Sequence, residues 1–248
     1  MTSENAVVFD KVKRIVGNAK HIVAIDGLDI HIECGGKDPW DTDKLYEIEK
    51  TYGLSPEELL SAGEFSTRKD RFYKFYRDEV LAEEIIPSDS LKALKALEED
   101  GRLDGVITFH FCGAEKLAGI ENVVELYGSE MEYYCTSCGK KFTKEFVRNT
   151  EGNVPLCDDC KNAIRPNIRF LGERIRNDRL TQAIELCSSA DVILVLGINL
   201  YGEKIQYLTG HYIGNKLILI KKHEHFTDKY ADEVIYGKCE DILPKLIK

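Results

Sequence analysis

Four cysteines stand as two Cys-x2-Cys pairs, Cys135/Cys138 and Cys157/Cys160, with 18 residues between the pairs. Two intervening residues let one turn aim both sulfurs at one ion, and two such knuckles complete a tetrahedron. Four thiolates leave no open coordination position, so the expected occupant is a structural zinc rather than a catalytic one. Free thiols or two disulfides are the competing reading, and the paired knuckle spacing argues against both. By analogy with zinc-finger peptides the metal contributes on the order of 10 kcal/mol locally.

The elements that must carry this module alternate. Residues 4–20 read as a helix with Val8, Val12, Ile15 and Val16 on one face. His21–Ile25 is a short apolar strand followed by Asp26 and Gly27. Residues 41–105 read as mostly helical, with Ser55 as an N-cap ahead of Pro56 and two acids, and further helices at Arg68–Leu81 and Ser88–Glu99. Gly105–Thr108 is the second predicted strand. Leu180–Ser188 is helical, the runs Asp191–Leu196 and Lys216–Ile220 are strands, Glu233–Tyr236 is a weaker one, and a terminal helix starts near Cys239. Strands alternating with helices imply a doubly wound parallel sheet, an α/β Rossmann-like fold, into which the Cys-rich piece is inserted.

The bulk numbers bound the function. The 248 residues suffice for one large domain with a small module. A net charge of -9 disfavours general nucleic-acid binding, since phosphate contacts need a basic face. The N-terminal stretch has acids and no apolar core of a signal peptide, and no run approaches the roughly 18 apolar residues of a membrane span. A cytoplasmic protein without nucleic-acid or membrane partners is expected.

Several segments carry a resemblance. Glu125–Thr143 (ELYGSEMEYYCTSCGKKFT) and Val154–Glu173 (VPLCDDCKNAIRPNIRFLGE) resemble the two knuckles of the sirtuin family and their flanks. Ser88–Thr108, Ala190–Leu200 and Ala231–Leu246 are similar to that family's motif-leading helix and strand, its Gly-Thr-Ser strand and its C-terminal end. The resemblance implies NAD-dependent protein deacylation in a cleft between a Rossmann-like domain and a small zinc and helical module. The large domain is then expected at 1–40, 86–127 and 166–248, the helical part of the small domain at 41–85 and the zinc module at 128–165. It further implies a loop ending in Phe170-Leu171-Gly172-Glu173 that clamps a peptide as an added strand.

Departures from the family pattern gather in the chemistry. Its Gly-Ala-Gly-Ile-Ser loop corresponds to Gly27-Leu28-Asp29-Ile30-His31, where Leu28 adds bulk and Asp29 adds negative charge beside the place of a diphosphate. The Gly-Ile-Pro-Asp-Phe-Arg signature is Gly35–Trp40 here and lacks its arginine. The Thr-Gln-Asn-Ile-Asp motif becomes Thr108-Phe109-His110-Phe111-Cys112. The catalytic histidine's place is taken by Tyr127, and a phenol with a pKa near 10 is a poor base at neutral pH. Gly-Thr-Ser becomes Gly197-Ile198-Asn199. By position, Gly27, His31, Cys112, Gly197 and Asn199 are the candidate cofactor contacts, with Tyr127 and His110 the candidate catalytic groups.

Two readings of the cleft follow. The first is a sirtuin-like zinc protein that binds a protein, a peptide or a ligand other than NAD. The second is a divergent NAD-dependent deacylase or ADP-ribosyl transferase in which His110 serves as base; NAD or ADP-ribose is then the cofactor. A sharper idea concerns His31, Cys34, His110 and Cys112, which by the resemblance face one pocket and would make a second metal site or an imidazole-activated thiol. Their spacings, His-x-x-Cys and His-x-Cys, are weak signals, and a buried cysteine is commonly just a small apolar residue. The aromatic run Phe72, Tyr73, Phe75 and Tyr76 reads as core, Tyr133-Tyr134 as packing on the zinc module, His223-Glu224-His225 as a solvated turn, and Cys187 and Cys239 as inert.

Overall fold

A computed structural model describes residues 3–81 and 84–247. Among the described residues nine strands are present: β1 (Ile22–Asp26), β2 (Leu103–Thr108), β3 (Val123–Glu125), β4 (Gly128–Cys135), β5 (Lys141–Thr143), β6 (Ile164–Ile168), β7 (Val192–Leu196), β8 (Leu217–Lys221) and β9 (Glu233–Tyr236). Six form one parallel sheet in the order β3-β2-β1-β7-β8-β9. Helices cover both faces, which is why β1, β7 and β8 are buried at every position and read as unbroken apolar runs rather than alternating ones. The order reverses direction at β1 and β7, so the loops leaving their carboxyl ends part and open a crevice there. Asp26, Thr108 and Leu196 stand in register at that edge.

The small module is a three-stranded antiparallel sheet, β5-β4-β6, packed against the helices Thr42–Tyr52, Pro56–Leu59, Ala62–Thr67 and Lys69–Phe75. Ser55 caps the second of these through a reciprocal capping box with Glu58. The shared core is aromatic: Phe72, Tyr73, Phe75 and Tyr76 are fully buried, as the sequence pattern predicts. The two phenols find partners, Tyr76 Oη with Tyr133 Oη at 2.9 Å and Tyr73 Oη donating to the Ile164 carbonyl at 2.5 Å. Truncating such a ring costs about 3–5 kcal/mol.

Three local features differ from the expectation. Gly27–His31 is not a loop: Gly27 precedes a short helix, Leu28–Glu33. The Arg68–Leu81 helix is α-helical only over Lys69–Phe75 and widens into a π turn at Tyr76–Val80. β3 carries too few residues to show a period. Gly128, at the start of β4, has φ of 87°, and a Cβ there would lie 1.9 Å from the Asn167 carbonyl oxygen, so only glycine lets β4 and β6 pair this closely. Among the described residues no helix is long and apolar enough to cross a membrane.

Candidate functional site

The chemistry-bearing residues fall into three places. The first is the tetracysteine module. Cys135 closes the end of β4, and Cys138 lies in the turn before β5. Cys157 and Cys160 flank the turn before β6. One sulfur from each of the four lies within 4.8 Å of all the others, with Cys135 and Cys160 3.3 Å apart and Cys138 and Cys157 3.7 Å apart. These are separations of thiolates around one ion and not of sulfur–sulfur bonds, so the donor set fits zinc.

The second place is the crevice at the carboxyl ends of β1, β7 and β8, a cavity of about 730 Å3. Tyr127, Gly197 and Asn199 line it, together with Leu28, Asp29, Phe109 and Lys222. Tyr127 meets Phe109 edge-on, the Arg169 guanidinium lies over its ring, and burial raises its phenol pKa, so it keeps its proton at neutral pH. Asp29 does not stand as a bare negative charge, because Lys222 approaches it at 3.5 Å. The other lysines of the lining are also engaged, Lys204 with Glu203 and Lys221 with Asp228 and Asn199. Gly27 lies under the Ile198 side chain: a Cβ at 27 would come 2.5 Å from Ile198 Cβ. Gly197 in turn accommodates Asp29. Both glycines thus answer neighbouring side chains of the chain itself.

The third place is a buried polar cluster beside the crevice. His31, His110 and Cys112 do not line the cavity; each is nearly or fully sealed from solvent. His31 comes from the helix after β1, and His110 and Cys112 come from the loop after β2. The imidazoles of His31 and His110 are 5.4 Å apart between centroids, and Cys112 Sγ is 3.4 Å from His110 Nδ1. His110 Nε2 faces Glu115 Oε1 at 2.9 Å and Asp26 Oδ1 at 3.4 Å. Burial opposes a charge on His110, but Glu115, Cys112 and Asp26 outweigh it and hold the imidazolium well above the usual histidine range. Burial likewise opposes charge on Glu115, yet His110 keeps its carboxylate below the usual range. Burial, then Glu115, push Asp26 well up, so it holds its proton. His31 is lowered to about 4 by burial and by His110 and is neutral. His110 is sealed away from the crevice and faces Asp26 and Glu115, so it is not placed as the base for the crevice that the sequence suggested. Cys34 is buried on the same side, but its sulfur is outside the set of donors that meet, and burial raises its thiol to about 11.

Sequence spacing missed Asp26 and Glu115 altogether. Asp26 reads in the sequence only as the residue that follows the His21–Ile25 strand, and Glu115 lies five residues beyond His110 in a one-turn helix, Ala114–Leu117. His223, Glu224 and His225 also line the crevice, where His225 Nδ1 is bonded to Thr227 Oγ1 at 2.8 Å, while Cys187 and Cys239 are buried outside these places. Glu173 anchors its loop: Arg165 grips the carboxylate through two contacts of 2.9 Å, and the Phe170 amide donates to it at 2.9 Å.

Comparison with known proteins agrees with this architecture along the whole chain. A profile of the Sir2 family matches residues 27–202. An NAD-dependent protein deacetylase of Clostridium acetobutylicum is 31% identical over 238 residues, covering 96% of this chain and 97% of the relative. A Sir2 histidine-to-alanine variant, solved with deacetylated p53 peptide and 3'-O-acetyl ADP ribose, superposes with a TM-score of 0.84 at 28% identity, covering 96% of this chain and 97% of that one. A Sir2 histidine-to-tyrosine mutant, solved with p53 peptide and NAD, gives a TM-score of 0.81 at 28% identity over 96% and 97% of the two chains. The sheet order, the inserted tetracysteine module and these whole-length matches together establish that the chain belongs to the Sir2 family.

Proposed function

We propose that this chain is a divergent NAD-dependent Sir2-type enzyme, a protein deacylase that takes NAD in the crevice and an acyl-lysine peptide alongside it. The observation that carries this reading is the crevice, about 730 Å3 at the switch point of the sheet, in a chain that matches NAD-dependent deacetylases end to end. Whole-length likeness to such enzymes reverses the order in which the substituted motifs alone would rank the two readings. A tyrosine in a Sir2 cleft is compatible with the dinucleotide, since a histidine-to-tyrosine Sir2 was solved with NAD and peptide. The anchored Phe170–Glu173 loop supports peptide binding.

In this reading Tyr127 orients the nicotinamide ribose by hydrogen bonding and does not remove its proton, because its phenol is raised. Asn199 and the Gly197 backbone face the same space. ADP-ribosyl transfer uses the same groups with a different acceptor.

A second reading, a binding protein without NAD chemistry, is favoured by one observation: Ile198 over Gly27 and Asp29 against Gly197 close the approach that a diphosphate would use. Calorimetric titration of the zinc-loaded protein with NAD and with ADP-ribose separates the two. Micromolar binding followed by nicotinamide release sustains the enzyme; no heat up to millimolar ligand leaves the binding protein.

A further inference from the structure

Three metal-ligating side chains meet in a pocket that the reaction proposed above does not use. One nitrogen of His31, one of His110 and Cys112 Sγ lie within 4.8 Å of one another, all three residues buried. Bonds of about 2.0–2.3 Å around a tetrahedral ion put its ligand atoms roughly 3.3–3.7 Å apart. The 3.4 Å between Cys112 Sγ and His110 Nδ1 already has that value, and His31, within 4.8 Å of both, needs to close by roughly 1.5 Å at most.

The surroundings of each imidazole select the same atom. His31 Nε2 lies 2.9 Å from the Lys37 carbonyl oxygen, which only accepts, so Nε2 carries the proton. His31 Nδ1 is therefore a bare lone pair, and it is buried without a partner. His110 Nε2 faces the Glu115 carboxylate and the Asp26 carboxyl group, which leaves Nδ1 as its ligating nitrogen. Ligand histidines in metal sites are held this way, the far ring nitrogen pinned by a carbonyl or a carboxylate. Gly36 completes the setting: a Cβ there would come 2.4 Å from His31 Nε2, so the ring rests on bare backbone.

We propose that His31, His110 and Cys112 hold one divalent transition metal at the carboxyl edge of β1 and β2, distinct from the tetracysteine ion, with Lys37, Asp26 and Glu115 orienting the ligands. Two imidazoles and a thiolate suit zinc and its surrogate cobalt(II) better than magnesium or calcium, which prefer oxygen. Binding the ion displaces the protons of Cys112 Sγ and His110 Nδ1 to solvent, and no electron is transferred. Three protein donors leave one position for a water or a small anion. The site stands independently of the NAD reading, because metal content and nucleotide binding are separate measurements.

The test is metal stoichiometry by mass spectrometry on the full chain, loaded with Zn2+ and desalted, alongside the absorption spectrum after Co2+ replaces Zn2+. The expected result is two ions per chain. Cys112→Ala, a small buried substitution, and His31→Gln each leave one ion, with the four-thiolate spectrum of the remaining site unchanged. Gly36→Ala, which alters no ligand, weakens the second Co2+ at least tenfold. A single ion in the wild type overturns the proposal. So does a second ion that survives Cys112→Ala and is lost with Glu115→Gln, since the donors would then be carboxylates. Because the retained four-thiolate spectrum reports folding, a variant that fails to fold is recognised, and the wild-type count then decides.

Discussion

The tetracysteine module and the polar cluster beside the crevice both gather metal-ligating side chains, and they do so by opposite routes. In the module the ligands are two residues apart within each knuckle, and local turns aim them. In the cluster the ligands come from segments separated by about eighty positions, and only the parallel pairing of β1 with β2 brings His31 beside His110. The module's four sulfurs complete the coordination by themselves, and nearby N–H groups of Ser137 and Asn162 reach two of them. The cluster needs Glu115 and a proton-bearing Asp26 to balance an imidazolium in a sealed space, and six of its polar atoms make no well-aligned hydrogen bond. Locally coded sites tolerate change elsewhere in the chain, whereas a site assembled across the sheet is exposed to any shift of its strands.

The largest expected effect breaks the module. Cys157→Ser, or strong chelation, removes a thiolate ligand, and the loss is roughly 10 kcal/mol of local stability. It is read as collapse of amide protection over residues 128–168, with the six-stranded sheet still protected. Equal loss in both sheets would mean that the two regions fold as one unit and would erase the contrast.

Next comes the cluster. Glu115→Gln leaves His110 without its closest counter-charge, a loss of about 3–5 kcal/mol in urea unfolding, as for other broken buried pairs. A change below about 1 kcal/mol would mean that the pair is not held as ions.

Tyr127→His sharpens the functional side. It restores a general base at the crevice, so nicotinamide release from NAD rises about 10²-fold, measured by product formation at saturating NAD. An unchanged rate, with NAD bound, would assign the deficit to Ile198 and Asp29 instead.

The smallest effect lies in the peptide loop. Burial opposes the Glu173 carboxylate, but Arg165 holds it below the usual range. Its contribution is therefore present above the unfolded carboxyl value and is lost as pH falls through the folded one. Glu173→Gln costs at most about 1 kcal/mol at neutral pH, and wild type and variant converge in thermal melts once the pH falls below the folded value of the carboxyl.

Much of this protein is legible in the order of its residues. The apolar runs of β1, β7 and β8 mark a sheet covered on both faces, the knuckle spacing marks a zinc module, and Ser55-Pro56 marks a helix start. Those signals are local: burial on both faces, a turn between two sulfurs and a cap are each decided within a few residues. The motif substitutions at Tyr127, Ile198 and Asp29 are equally plain in the sequence, but their consequence is not. Tertiary structure alone decided that Lys222 answers Asp29, that Ile198 seals Gly27, and that His110 sits sealed against Glu115 rather than facing the crevice. The physical reason is distance along the chain. A pKa, an ion pair or a donor triad depends on which side chains are within a few ångströms, and here the partners arrive from different strands of the sheet, whose register no spacing rule contains.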